Sequence, residues 1–136
     1  MIQIYTTPSC ASCRKAKKWF DQYKIPYSEK NIFSIKLSKE DIFRMLANSE
    51  NGFDDIISTR SKVFKEKKLD PDNMSVQELI EFIIDYPSVL KRPIIINENE
   101  LQVGYNNEDI TIFLPKELRN LDSFSDFDAE PINVKY

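Results

Sequence analysis

Ile2-Gln3-Ile4-Tyr5-Thr6-Thr7-Pro8-Ser9-Cys10-Ala11-Ser12-Cys13-Arg14-Lys15-Ala16-Lys17-Lys18-Trp19-Phe20 is the stretch on which the reading of this chain turns. Ile2 to Tyr5 is patterned like a short strand, and Thr6-Thr7-Pro8-Ser9 is rich in turn formers. From Cys10 onward Ala16, Trp19, Phe20 and Tyr23 fall at helical spacing, with Arg14, Lys15, Lys17 and Lys18 on the polar face. Ile25-Pro26-Tyr27 restarts extended structure. The opening therefore reads β–α–β, a unit that favours a right-handed crossover and a parallel strand pair.

Working outward, Ser38 is placed to cap a helix with acids in its first turn and Ile42, Phe43 and Leu46 as its apolar stripe. Asn51-Gly52 breaks the chain, and Ser58-Thr59-Arg60 precedes a further helix through Val63 and Phe64. Ser75-Val76-Gln77-Glu78 is a capping box for a helix that should stop before Pro87. Arg92 to Ile96 and Leu101 to Gly104 bracket Asn97-Glu98-Asn99-Glu100 as an antiparallel hairpin. Asn107 is placed to cap a last helix through Ile110 and Phe113. These elements predict one α/β domain over 1–118: a small four-stranded mixed sheet flanked by helices, with a helical insertion at about 36–86. Residues 119–136 lose all periodicity and turn acidic, which predicts a flexible or partner-bound tail.

Composition excludes several chemistries. The 136 residues contain no histidine, which removes histidine general bases, Cys–His and Ser–His pairs and imidazole metal ligands. Two cysteines cannot build a four-sulfur zinc site within one chain, so no metal and no cofactor is expected. The net charge of −3 argues against gripping nucleic acid through overall charge. That charge is unevenly spread, because residues 1–30 hold six Lys or Arg against Asp21 and Glu29. The basic face of the first helix could meet an acidic partner or DNA phosphates, or simply be solvated. Met1 to Tyr5 is patterned as a strand rather than a leader, and Ile94-Ile95-Ile96 is far too short for a membrane span. A cytoplasmic address is expected, where thiols are kept reduced.

In that setting Cys10 and Cys13 acquire meaning from their place between a strand and a helix. Helix-terminal N–H groups, with Arg14 and Lys17 nearby, favour a thiolate at Cys10. Cys13, about one turn inside, is the natural resolving partner. Half of a zinc site and two incidental cysteines are the competing readings. The spacing and placement match a thioredoxin-like redox motif. In such a fold the residue before a cis-proline on the third strand faces the redox motif, and Arg92-Pro93 is the candidate. Arg92 would then favour a thiolate or bind an oxyanion; otherwise it is a surface arginine at a strand end. Arg60, read alone, is a solvated side chain.

The sequence resembles the Spx branch of the arsenate reductase-like family from Met1 to about Leu118. The resemblance rests on Tyr5 to Lys15, Asn31-Ile32-Phe33-Ser34, Asp55 to Lys62, Arg92 to Ile96 and Leu101 to Asn106, in order and spacing. It implies a redox-responsive global regulator of transcription that binds the C-terminal domain of the RNA polymerase α subunit. Such a regulator interferes with activator-stimulated transcription and activates thiol and oxidative-stress genes. The resemblance assigns Cys10 and Cys13 to a disulfide switch, Gly52 to the polymerase contact, and Arg60 and Arg92 to functional arginines near the switch. Promoter DNA would be met only within that complex, and a protease adaptor is a further implied partner. Asn133-Val134-Lys135-Tyr136 departs from the small apolar C-terminus read by the protease in well-known members. The alternative is an arsenate reductase-like thiol oxidoreductase. It is disfavoured because Tyr105 stands where a third arginine is expected, and because Cys13 replaces the serine usual in that loop.

Overall fold

Alternation along the first strand organises everything else. A computed structural model describes residues 1–115, and in it β1 (Ile2–Thr6) sends Ile4 to one face of the sheet and Tyr5 to the other. β1 pairs in parallel with β2 (Tyr27–Asn31), Ile2 opposite Tyr27, the crossover being made by α1 (Ala11–Gln22). It pairs antiparallel with β3 (Ile94–Ile96), and β3 continues antiparallel to β4 (Leu101–Val103), Ile95 opposite Gln102. The sheet order is β2-β1-β3-β4.

Each face has its own core. On one, Ile4 and Ile95 meet Ala16, Trp19 and Phe20 of α1, together with Ile110, Phe113 and Leu114. Trp19 and Phe20 stand edge to face with ring centroids 5.0 Å apart, a favoured aromatic geometry. On the other face Tyr5, Ile94 and Ile96 meet Ile42 and Met45 of α2 (Lys39–Ala47) and Leu79, Ile80 and Ile83 of α5 (Val76–Asp85). Helices thus cover both sides of the predicted four-stranded mixed sheet.

Local chemistry explains where the inserted helices begin and end. Ser38 Oγ accepts from Asp41 N–H while Asp41 Oδ2 accepts from Ser38 N–H, a reciprocal cap. Ser75 and Glu78 do the same for α5, which stops at Asp85, two residues short of Pro87. Between them lie α3 (Phe53–Ile56) and α4 (Lys62–Glu66). Sequence spacing gives no sign of α3, which is too short for a helical stripe. The insertion is sewn back to the sheet where Ser58 N–H donates to Val89 O and Lys91 N–H to Ile56 O, both 2.8 Å, around Ile57 and Leu90.

The last helix differs from expectation. It is a 3-10 segment, Asp109–Phe113, and Asn106 rather than Asn107 heads it, Oδ1 accepting from the N–H groups of Glu108 (2.8 Å) and Asp109 (3.0 Å). The β-branched run Ile110-Thr111-Ile112 weakens an α-helix, and Pro115 leaves no room for another turn. The predicted domain limit near Leu118 and the acidic segment 119–136 lie outside the described residues.

Candidate functional site

The turn after β1 aims the first cysteine. Ser9 has a left-handed φ of 62°, uncommon for a residue with a Cβ, and it swings Cys10 into the N-cap position of α1. Cys10 Sγ accepts from Cys13 N–H at 3.1 Å, so the sulfur itself satisfies one of the open amides at the head of the helix. The sulfurs of Cys10 and Cys13 are bonded, with Cα atoms 5.2 Å apart. Cys10 is half-buried while Cys13 is 2% exposed, so an outside reagent meets Cys10 first. This is the asymmetry expected of an attacking and a resolving thiol.

Arg92 comes to the same place from the far strand. Its bond to Pro93 is cis, as expected from the sequence, and its side chain lines a cleft of about 540 Å³ with Cys10 and Arg60. The guanidinium carbon sits 5.8 Å from the Phe33 ring centroid. Arg92 Nη1 is buried without a hydrogen-bond partner among the described residues. Burial draws the Arg92 pKa below its ordinary value, although a guanidinium remains charged. The cleft thus sets an unpaired buried guanidinium donor beside an exposed arginine and the serines Ser58, Ser61 and Ser88, groups of the kind that donate hydrogen bonds to anions.

The structure therefore brings Cys10, Arg60 and Arg92 to one cleft. Cys13 lines a smaller neighbouring recess, which shares Cys10 with the cleft and adds Arg14, Lys17 and Glu29. There Glu29 accepts from Lys17 Nζ at 3.0 Å, so one charge of the basic helix face is already paired. Gly52 is not in the cleft. It stands ahead of α3 with φ 65° and ψ −131°, a conformation that favours glycine, and a Cβ built there meets nothing within 4 Å. The loop around it is pinned by Asp55, whose Oδ2 accepts from the N–H groups of Glu50 and Asn51, both 2.9 Å. Tyr105 does not line the cleft; it packs against the α1 core. Among the described residues no group of three or more Cys, Asp or Glu is placed to hold a metal ion, and no helix is long and apolar enough to cross a membrane.

Sequence reasoning finds in Asp41 no more than a first-turn acid. It is 8% exposed and accepts from Tyr5 Oη (2.7 Å), Lys30 Nζ (3.2 Å) and Ser38. Tyr5 lies in β1, the strand that leads into the Cys10 turn, so this network anchors the strand that carries the site. Nothing in the spacing of Tyr5 and Asp41 announces their contact.

A cysteine pair on the first turn of such a sheet places the molecule among thioredoxin-like thiol proteins. Comparison with known proteins narrows the class. The ArsC family model matches residues 5–113. The global transcriptional regulator Spx 1 of Bacillus cereus is 50% identical over 119 residues, 88% of this chain and 91% of the relative. The global transcriptional regulator Spx of Bacillus subtilis is 48% identical over 120 residues, 88% and 92% of the two chains. An arsenate reductase from Vibrio cholerae shares the fold with a TM-score of 0.71 at 20% identity, over 83% of this chain and 97% of its own. The chain belongs to the ArsC family and, within it, to the Spx group. Regulation of transcription is the role that the names of those relatives state.

Proposed function

We propose that this chain is a thiol-switched transcription regulator that binds the C-terminal domain of the RNA polymerase α subunit through the surface around Gly52. There it interferes with activator-stimulated transcription, and on oxidation it activates thiol and oxidative-stress genes. It works as a switch and not as an enzyme, in the cytoplasm. Closing the Cys10–Cys13 bridge removes two protons and two electrons, taken up by an oxidant such as a peroxide, and reduction by a dithiol reverses it. The observation that carries this reading is the half-buried Cys10 bonded to the buried Cys13 at the wall of the Arg92 cleft. A Cys10 thiolate would compensate the nearby guanidinium, and the disulfide is neutral, so oxidation leaves the arginine available to another anion. Promoter DNA is met only in the complex, by the exposed Arg14, Lys15 and Lys18 of α1.

The test is co-purification of the polymerase α C-terminal domain with the reduced and the oxidised protein, read beside in vitro transcription. Gly52→Arg should abolish co-purification. Strain at this positive φ with strongly negative ψ costs about 1–3 kcal/mol, and a circular dichroism melt verifies that the fold survives. Cys10→Ala should erase every difference between the two redox states in transcription. A Gly52 variant that binds normally removes the docking surface, and unchanged redox behaviour in the Cys10 variant removes the switch.

One observation favours a second reading, arsenate reduction: Cys10, Arg60 and Arg92 share the cleft. Lacking the third arginine should weaken oxyanion binding roughly 10- to 150-fold. Turnover of arsenate with a thiol reductant, lost in Arg92→Ala, would decide for it.

A further inference from the structure

The sheet order leaves β4 on an edge, and its register fixes which of its backbone groups face outward. Gly104 N–H donates to Pro93 O at 2.8 Å and Asn97 N–H to Glu100 O at 3.1 Å, and Ile95 stands opposite Gln102 between them. Those are the hydrogen-bonded rungs of the hairpin. Leu101 and Val103 lie at the alternate rungs, so their N–H and C=O groups point away from β3. Among the described residues these groups have no hydrogen-bond partner. Leu101-Gln102-Val103 also lacks the proline, the lysine or the bulge with which sheets blunt an open edge.

A groove of about 610 Å³ runs along this edge. Glu50 and Asp55, from the segment after α2, line it on one face of the sheet, and Asp109 and Ile112 line it on the other. Among the described residues the only cation in the lining is Lys91, whose ammonium donates to Asp54 O at 3.3 Å. Gln102 lines the groove too, is 8% exposed, and its Oε1 accepts no hydrogen bond among the described residues. A buried acceptor without a donor is costly unless something supplies one.

From this juxtaposition we propose that the free edge of β4 is a docking site for an extended segment of a partner protein bearing basic side chains. The segment adds a strand, pairing with the outward amides and carbonyls of Leu101 and Val103. Its alternate side chains fall on the two faces of the sheet, one row toward Glu50 and Asp55 and the other toward Asp109 and Ile112. A second copy of this chain is the poorer occupant. Edge-to-edge pairing of two β4 strands brings the same three carboxylates into one interface, with like charges opposed. The groove abuts the Gly52 loop, which Asp55 pins, but its test does not use the polymerase, so failure of either reading shows separately.

The experiment is titration of the full, isotope-labelled chain with the peptide acetyl-(Lys-Val)3-amide, followed by amide NMR shifts and hydrogen exchange. Shifts should centre on Leu101 and Val103, with exchange of those two amides slowed. Methylating alternate peptide nitrogens should weaken binding about tenfold or more, because it removes strand donors and leaves charge intact. Glu50→Lys, at an exposed position on the face that the lysine row meets, should weaken it at least about threefold, Asp109→Lys on the valine face should weaken it less, and acetyl-(Glu-Val)3-amide should not bind. Equal binding of the methylated peptide would reduce the effect to charge attraction and overturn the proposal. So would shifts centred elsewhere, self-association through β4, or binding seen only after removal of residues 116–136.

Discussion

The two edges of the sheet are built on opposite plans. β2 carries charged side chains that are all engaged. Glu29 accepts from Thr6 Oγ1 at 2.7 Å and pairs with Lys17 of α1, while Lys30 pairs with Asp41 of α2 and lies 5.5 Å from the Tyr5 ring centroid. The strand is thereby clamped to the helix layers on both faces, and its charges repel a foreign strand. β4 has Leu, Gln and Val, no ion pair of its own, and a groove beside it. One edge is finished internally and the other is left for something else to finish.

The largest effect expected of breaking this contrast is at Asp41. Asp41→Asn weakens the cap on α2 and the pairing of Lys30, and should lower stability by about 1.5–3 kcal/mol in urea melts. Its pH dependence sharpens the point. Burial opposes ionisation of Asp41, but hydrogen bonds from Ser38, Tyr5 and Lys30 outweigh it and hold the carboxyl below the usual range. The unfolded chain then takes up the proton first. The stabilisation is complete above the unfolded pKa of about 3.9 and is lost as pH falls through the native one. The acid limb of the stability curve should be shallower in the variant.

At the other edge the sign reverses. Gln102→Leu replaces the amide of the unpaired Oε1 by an apolar side chain of similar size and should raise stability by about 1 kcal/mol, while changing the groove. A loss of stability there would mean that the amide is already satisfied. The smallest effect belongs to Glu29→Gln, a part-exposed pair screened by water, at about 0.2–1 kcal/mol and shrinking with added salt. An effect as large as that of Asp41 would show that the two sides of β2 are clamped with equal strength.

Much of this is legible in the chain because it depends on local rules. The Ser38 and Ser75 caps, the helical spacing of Ala16, Trp19 and Phe20, and the hairpin around Asn97 need only neighbours in sequence. Cys10 and Arg92 are legible as candidates through the strand–cysteine–helix placement and the proline. Their meeting in one cleft depends on β1 and β3 pairing across more than eighty residues of chain. Asp41 is invisible for the same reason, since Tyr5 and Lys30 reach it from two strands. The final helix escapes sequence reasoning because its asparagine cap stands one residue before Asn107 and three β-branched residues outweigh the helical spacing. Gln102 falls within the predicted hairpin strand, and nothing in its sequence neighbours marks it as buried.

The short ladder between Ile56–Ser58 and Val89–Lys91 has a mechanical meaning. On one side the chain runs back through α3 to Gly52; on the other it delivers Arg92 one residue later. Pulling the Gly52 loop away from the body while Arg92 stays in place would have to snap both cross-links. The two places share a single stiff strut, and the amides of Ser58 and Lys91 are its strain gauges.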